Sequence, residues 1–260
     1  MNRYRAVFVS DFHLGSAGCR ADDIDEFLRD FECEYLYLVG DIIDGWVGTK
    51  ETKWTQGCTN VVRAILDKSM YNVRVLYTPG NHDALVRRML GTEHGNIHID
   101  HSFIHETLDG RKLLVVHGDL FDSACTRFPH AAWAGAWVYE YLTIFNVHVN
   151  KHRTKREWRP IDFSTSLKLL FKRYSKRKGS FETQLLTAAT EQNCTGVVCG
   201  HIHRPQIHEY EKGLYVNTGD WVEHKTALVE HLDGRLELLD LTEEKEPESP
   251  RRSVIGLASK

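Results

Sequence analysis

The sequence predicts an α/β fold of two packed sheets with helices outside, and three observations carry that assignment. Strand-like apolar runs alternate with helical patterns over the first half of the chain. In the second half, two Asp-Gly turns each sit between alternating runs, a hairpin signal. Five short polar signatures recur, each just past an apparent strand. A length of 260 residues suffices for one sizeable domain or two small ones. With 42% hydrophobic and 27% charged residues, the chain is not of a disordered, collagen-like or coiled-coil type.

In order, Arg5–Ser10 reads as a strand, and Ala21–Phe31 has helical spacing at Ile24, Phe27, Leu28 and Phe31. Tyr35–Val39 is a strand, Val61–Lys68 a helix and Val73–Tyr77 a third strand. This order argues for a mainly parallel sheet covered by helices. Phe103–Thr107 and Lys112–Val116 flank Asp109-Gly110, and Ala227–His231 and Arg235–Leu239 flank Asp233-Gly234, so each pair is expected to form a hairpin. Gly196–Cys199, Gln206–Tyr210 and Leu214–Val216 add short strands.

A region from about 121 to 192 has helical pattern and no convincing strand, so it is expected to be a helical insertion in a domain spanning 1–241. Residues 242–260 are charged, carry two prolines and lack periodicity, as a disordered tail does.

Lys and Arg number 33 against 36 Asp and Glu, a net charge of −3. No uncharged apolar stretch reaches the roughly 20 residues that span a bilayer. The first residues read as a strand rather than a signal peptide because Asp11 cuts the apolar run. Six cysteines lie far apart without a C-x-x-C pair, which fits reduced thiols. A cytoplasmic protein is expected.

The chemistry is concentrated in Ser10-Asp11-Phe12-His13, Gly40-Asp41-Ile42-Ile43-Asp44, Gly80-Asn81-His82-Asp83, Val116-His117-Gly118-Asp119 and Gly200-His201-Ile202-His203. Loops after strand C-termini are where open α/β sheets hold ligands. Convergence would gather Asp11, His13, Asp41, Asn81, His117, His201 and His203. Carboxylate, amide and imidazole donors without cysteine suit Mn²⁺, Fe²⁺ or Zn²⁺. Seven donors exceed the needs of one ion with open positions and fit two ions if a carboxylate bridges. Glycine before Asp41, Asn81 and His201 would relieve crowding there. One Asp-x-His pair alone is more often a turn than a ligand set, but five such coincidences in order are not.

These residues resemble the calcineurin-like metallophosphoesterases, whose signatures D-x-H, G-D-x-x-D, G-N-H-[DE], H-G and G-H-x-H are all present across about residues 5–240. The resemblance implies a four-layer α/β/β/α sandwich and a dinuclear centre, with two divalent ions, Mn²⁺ foremost. By motif position Asp11, His13, Asp41 and His203 would bind one ion, and Asp41, Asn81, His117 and His201 the other.

Within that superfamily the chain is similar to the UDP-2,3-diacylglucosamine diphosphatase group of lipid A biosynthesis. The residues behind this are Ser10 to Gly15, Leu38 to Trp46, His117-Gly118-Asp119, Gly200 to Pro205 and Tyr215 to Trp221. One departure is His82, where typical members carry arginine, and it places the chain in a divergent branch.

His82 is assigned as general acid or transition-state stabiliser, with Asp83 accepting from its ring. Asn81, His82 and His201 are expected to face substrate. Asp44 is expected either to orient the loop or His13, or to be solvated. Asp119, Asp122 and Asp220 are expected to be turn or cap residues. Histidines outside the signatures, His105 among them, are expected to be ordinary exposed or edge residues. Trp46 and Trp221 are expected in the core, with contact to substrate as the alternative.

The leading function is hydrolysis of a UDP-sugar lipid to UMP and a lipid sugar phosphate. The alternatives are the same mechanism on a nucleotide or other soluble phosphoester, and a non-catalytic scaffold. Nucleic acid is not an expected partner.

Ala131–Val149 is rich in aromatics, and Phe163, Leu167, Leu170 and Tyr174 recur at helical spacing. From Lys151 to Lys178 there are 11 Lys or Arg against Glu157 and Asp162, a local excess of nine positive charges. One reading is a packed hairpin with solvated charges. The other is a lid whose apolar face holds acyl chains and whose basic face meets a diphosphate or an anionic membrane surface.

Overall fold

A computed structural model of the protein describes residues 1–44, 53–122 and 181–242. Trp46, Cys125, the aromatic and basic segments of the insertion and the tail from 243 lie outside the described residues. The chain divides into two compact units, one of Met1–Gly118 with Leu185–Lys260 and one of Asp119–Gln184.

Twelve strands are described: β1 Asn2–Val9, β2 Phe31–Leu38, β3 Arg74–Tyr77, β4 Thr92–His94, β5 Ile97–Ile99, β6 Phe103–Glu106, β7 Lys112–Val115, β8 Gly196–Cys199, β9 Gln206–Tyr210, β10 Gly213–Asn217, β11 Thr226–Glu230 and β12 Leu236–Asp240. Helices α1 Ala21–Arg29, α2 Gln56–Met70 and α3 Phe181–Glu191 connect them. One sheet has the order β12-β11-β1-β2-β3-β5-β4 and the other β6-β7-β8-β10-β9.

Both sheets are parallel at the centre and antiparallel at the edges. β1, β2, β3 and β5 run parallel, as do β7, β8 and β10. The two Asp-Gly hairpins form as expected, β6 with β7 and β11 with β12.

Strand alternation sorts the side chains into two cores. Val7, Val9, Leu36, Leu38 and Val75 face α1 and α2, packing with Ile24, Leu28, Val61 and Ile65. Their neighbours Ala6, Phe8, Tyr37, Val39 and Leu76 face the other way and meet Leu113, Val115, Val198, Leu214 and Val216 of the second sheet. The outward Leu114, Val197 and Tyr215 of that second sheet are buried too, as are Leu185, Leu186 and Ala189 of α3, the helix that leads into β8. The order is therefore helix, sheet, sheet, helix.

Two expectations change, and two short strands join those expected. α1 ends at Arg29, and Phe31 opens β2 instead of closing the helix. Phe31 still meets Phe27, with ring centroids 4.9 Å apart, so a helical spacing and a strand placement satisfy the same contact. β4 and β5 have three residues each, too few to show a pattern. His105 is not an exposed residue. It lies buried between the sheets, with Nε2 2.8 Å from Glu230 Oε2 and Nδ1 3.0 Å from the Tyr37 hydroxyl. Arg5 donates to the same Glu230 oxygen at 2.5 Å, so a strand-period polar position is filled by an enclosed hydrogen-bonded group. Among the described residues no helix is long and apolar enough to cross a membrane.

Candidate metal centre

The five signatures follow five parallel strands, β1, β2, β3, β7 and β8, so parallel pairing brings all five loops to one end of the two sheets. Backbone bonds lace the loops together. Asp11 and His13 donate to the carbonyls of Gly40 and Asp41, both at 2.9 Å, and Gly200 donates to that of His117 at 3.1 Å. The two sheets are tied by His117 Nδ1, 2.9 Å from the Val39 carbonyl, and by the amide of His201, 3.2 Å from Asp11 Oδ2.

The backbone here is strained. Asp11, His13, Asp41, His201 and His203 all have φ between 48° and 69°, the left-handed region that non-glycine residues seldom enter. Among the described residues only Asn72 and Asn193 share it outside glycine. Leaving the strand with this twist turns both members of Asp-x-His and His-x-His towards one side. Glycine is needed at Gly80 and Gly200 because a Cβ at either would overlap the Asp41 or Asp11 carboxylate.

Three groups of donor atoms result, each within 4.8 Å: Asp11, His13 and His203; Asp41, His117 and His201; and His13, Asp41 and His82. His203 Nε2 is 3.1 Å from Asp11 Oδ1, and His117 Nε2 is 3.3 Å from Asp41 Oδ2. Asp11, Asp41 and His117 are at most 2% exposed.

The donor set fits divalent cations on two grounds. Asn81 Oδ1 is buried with no hydrogen-bond donor aligned on it among the described residues, a costly state for such an oxygen without a cation, and Asp11 Oδ1 is met at 3.1 Å by a His203 ring that is itself a candidate ligand. The bond from His117 Nδ1 to the Val39 carbonyl sets the tautomer whose Nε2 lone pair faces Asp41.

The electrostatics agree. Burial opposes ionisation of Asp41, but His117, His82 and His13 outweigh it and hold the carboxyl well below the usual range. Burial pushes His13 down to about 4, leaving it neutral as a ligand must be. Burial also disfavours charge on His203, yet Asp11 and Asp220 lift it to about 9, so this imidazolium balances the Asp11 carboxylate where a cation would.

His82 Nδ1 lies 3.3 Å from Asp44 Oδ1, and its amide donates to Asp41 Oδ1 at 2.8 Å. Its ring packs edge-on to His13 at 4.7 Å. Burial opposes protonation, but Asp44 and Asp41 raise His82 above the ordinary histidine value.

This corrects the assignment of Asp83. Its carboxylate accepts from the Ile42, Ile43 and Gly80 amides and from the Tyr77 hydroxyl, so it braces the turn rather than the His82 ring. Burial, then Asp41, raises it to about 6. The orienting carboxylate is Asp44, and its spacing of three residues from Asp41 within one signature was the available signal.

Asp220 is a turn residue as expected, accepting from the amides of Val222, Glu223 and His224. Trp221 is core, edge-on to Phe12 at 5.8 Å. Sequence reading passed over Arg87, which donates to the Gly80 carbonyl at 2.7 Å; an arginine outside every signature gives no signal.

The family model for calcineurin-like phosphoesterases matches residues 4–205. A protein of Vibrio atlanticus (strain LGP32) named UDP-2,3-diacylglucosamine hydrolase is 27% identical over 242 residues, covering 86% of this chain and 93% of the relative. One of the same name from Tolumonas auensis is 24% identical over 83% and 88%. Among solved structures, Vps29 of Chaetomium thermophilum aligns with a TM-score of 0.50 and 11% identity over 96% of this chain and 95% of that one, a likeness of fold alone. With the match covering most of the chain and the donor set intact, the chain belongs to the calcineurin-like phosphoesterases and is a metal-dependent phosphoesterase.

Proposed function

We propose that the protein cleaves the pyrophosphate of UDP-2,3-diacylglucosamine, releasing UMP and the lipid sugar 1-phosphate. The observation that supports this reading most is the clustering of Asp11, His13 and His203 and of Asp41, His117 and His201, with the buried Asn81 oxygen on the neighbouring turn, joined to relatives that bear this substrate in their names. Two divalent ions would be held by Asp11, His13, Asp41 and His203 and by Asp41, Asn81, His117 and His201, and would supply Lewis acidity and lower the pKa of the attacking water. Oxygen and nitrogen donors favour Mn²⁺, with Fe²⁺ and Zn²⁺ as the other fits.

The chain's own residues do the rest. His117 and the strained loops hold the donors in place before substrate arrives, so little reorganisation is needed as charge develops. His82, whose protonated form Asp44 and Asp41 favour, is the group placed to donate a proton to the leaving phosphate oxygen. Asn81 and His201 flank the phosphoryl group. The basic residues between Lys151 and Lys178 meet the anionic membrane surface on the cytoplasmic side, and the apolar stripe of that insertion takes the acyl chains.

The test is a substrate panel on metal-stripped protein given Mn²⁺. Turnover of UDP-2,3-diacylglucosamine far above soluble diesters and nucleotides is expected. A preference for a soluble nucleotide would move the function to that class with the same mechanism. Four Lys or Arg to Gln changes within 151–178 should weaken liposome association and lipid turnover while sparing a small diester.

A further inference from the structure

The turn Pro79–Asp83 carries both Asn81 and His82, and it is fastened from several sides. From within, the Asp83 carboxylate accepts from the Gly80 amide at 2.9 Å, and the His82 amide reaches Asp41. From the following 3-10 turn, Val86–Met89, the guanidinium of Arg87 donates to the carbonyl of Gly80 at 2.7 Å through Nε and to that of Pro79 at 3.4 Å through Nη2. The amide of Arg87 in turn donates to the Asp83 carbonyl at 3.0 Å. The two carbonyls belong to the two peptides immediately before Asn81, so their planes set the direction in which the Asn81 side chain leaves the backbone. Gly80 lies so close to Asp41 and His117 that a Cβ would overlap both. A small rotation of the Gly80–Asn81 peptide would therefore move Asn81 Oδ1, a buried oxygen without an aligned donor, relative to Asp41 and His117.

We propose that Arg87 is a positioning residue for Asn81, setting the affinity of the ion bound by Asp41, Asn81, His117 and His201 more than that of its neighbour. This rests on the metal-site reading above. The sign of the effect separates positioning from plain charge. A cation near a cation site disfavours metal, so removing Arg87 by charge alone would tighten binding. A positioning role requires the opposite. Arg88, adjacent but exposed, supplies the control because its loss removes the same charge without touching the turn carbonyls.

The experiment is titration of metal-stripped full-length protein with Mn²⁺, following free Mn²⁺ by electron paramagnetic resonance, for wild type, Arg87→Met, Arg87→Lys and Arg88→Met. Wild type is expected to bind two ions. Arg87→Met should weaken one of them by roughly tenfold or more, as loss of an outer hydrogen bond to a ligand does, and leave the other within about twofold. Arg87→Lys, able to donate to one carbonyl, should recover part of the loss, and Arg88→Met should bind as wild type does. The metal-free melting temperature of Arg87→Lys should stay within about 2 °C of wild type, under about 1 kcal/mol for a domain of this size. Two ions bound by wild type with unchanged or tighter binding in Arg87→Met would overturn the role of Arg87 alone, as would equal weakening of both ions or the same loss in Arg88→Met. Absence of Mn²⁺ binding by wild type would overturn the metal reading itself.

Discussion

His82 Nδ1 lies 3.3 Å from Oδ1 of Asp44. That pairing gives the imidazole a carboxylate that favours its protonated form. His82→Ala should retain bound metal under the proposed ligand set, in which Asn81 and not His82 supplies the oxygen, and should lower turnover by roughly 10²–10⁴-fold with a poor leaving group. Asp44→Asn should lose roughly 10-fold or more in the same direction. Steady-state kinetics with good and poor leaving groups check this; an equal loss for both would make His82 a positioning group instead.

Asp83, although adjacent, should behave differently. Asp83→Ala removes a buried acceptor shared by three amides and the Tyr77 hydroxyl, so it should destabilise the fold by about 2–4 kcal/mol. Urea unfolding of the metal-free protein measures it. The dependence on leaving group should be unchanged in whatever activity survives.

Gly80→Ala should cost metal before it costs fold. The added methyl would overlap Asp41 Oδ1 and the His117 ring, and both belong to the centre rather than to the apolar core. Circular dichroism near that of wild type with Mn²⁺ stoichiometry reduced below two per chain is the expected pair of results. Full stoichiometry would mean that the loops are looser than their lacing of hydrogen bonds implies.

The enclosed Glu230 gives a pH prediction at a distance from the centre. Burial opposes its charge, but His105, the Leu108 amide and Arg5 outweigh burial and hold its carboxyl below the ordinary glutamate value of 4.5. A carboxyl whose folded value is lowered contributes stability above its unfolded value and loses it as pH falls through the folded value. Stability should therefore drop below about pH 4.5 partly through Glu230. Glu230→Gln should lower stability near neutrality by about 1–3 kcal/mol, since Arg5 loses its charged acceptor. It should also flatten the acid limb of a stability-versus-pH series. An unchanged acid limb would remove Glu230 from the account.

Much of this was legible in the sequence because it is carried by short local patterns. Parallel strands place their C-terminal loops at one end, so Asp-x-His, Gly-Asp-x-x-Asp, Gly-Asn-His-Asp, His-Gly and Gly-His-x-His could be gathered before any coordinate was known. The hairpins at Asp109-Gly110 and Asp233-Gly234 were equally local. What escaped depends on tertiary encounter. Asp44 and Asp83 both lie near His82, and only the approach of the β3 loop to the β2 loop decides which of them meets its ring. His105 occupies a polar strand position that reads as exposed until Glu230 and Arg5 arrive from β11 and β1 to enclose it. Arg87 acts through backbone carbonyls, which every residue possesses, so no spacing reveals it.

Asp41 is proposed as the carboxylate that two ions would share, with turnover dependent on both. The most direct measurement is the Mn²⁺ content per chain of metal-stripped wild type and Asp41→Asn after reconstitution, with hydrolysis of a chromogenic phosphodiester followed at each addition. Wild type should reach two ions with turnover rising as the sites fill, and Asp41→Asn should lose both ions and nearly all activity. Full turnover by wild type in excess chelator, or two ions with wild-type turnover in Asp41→Asn, would contradict it.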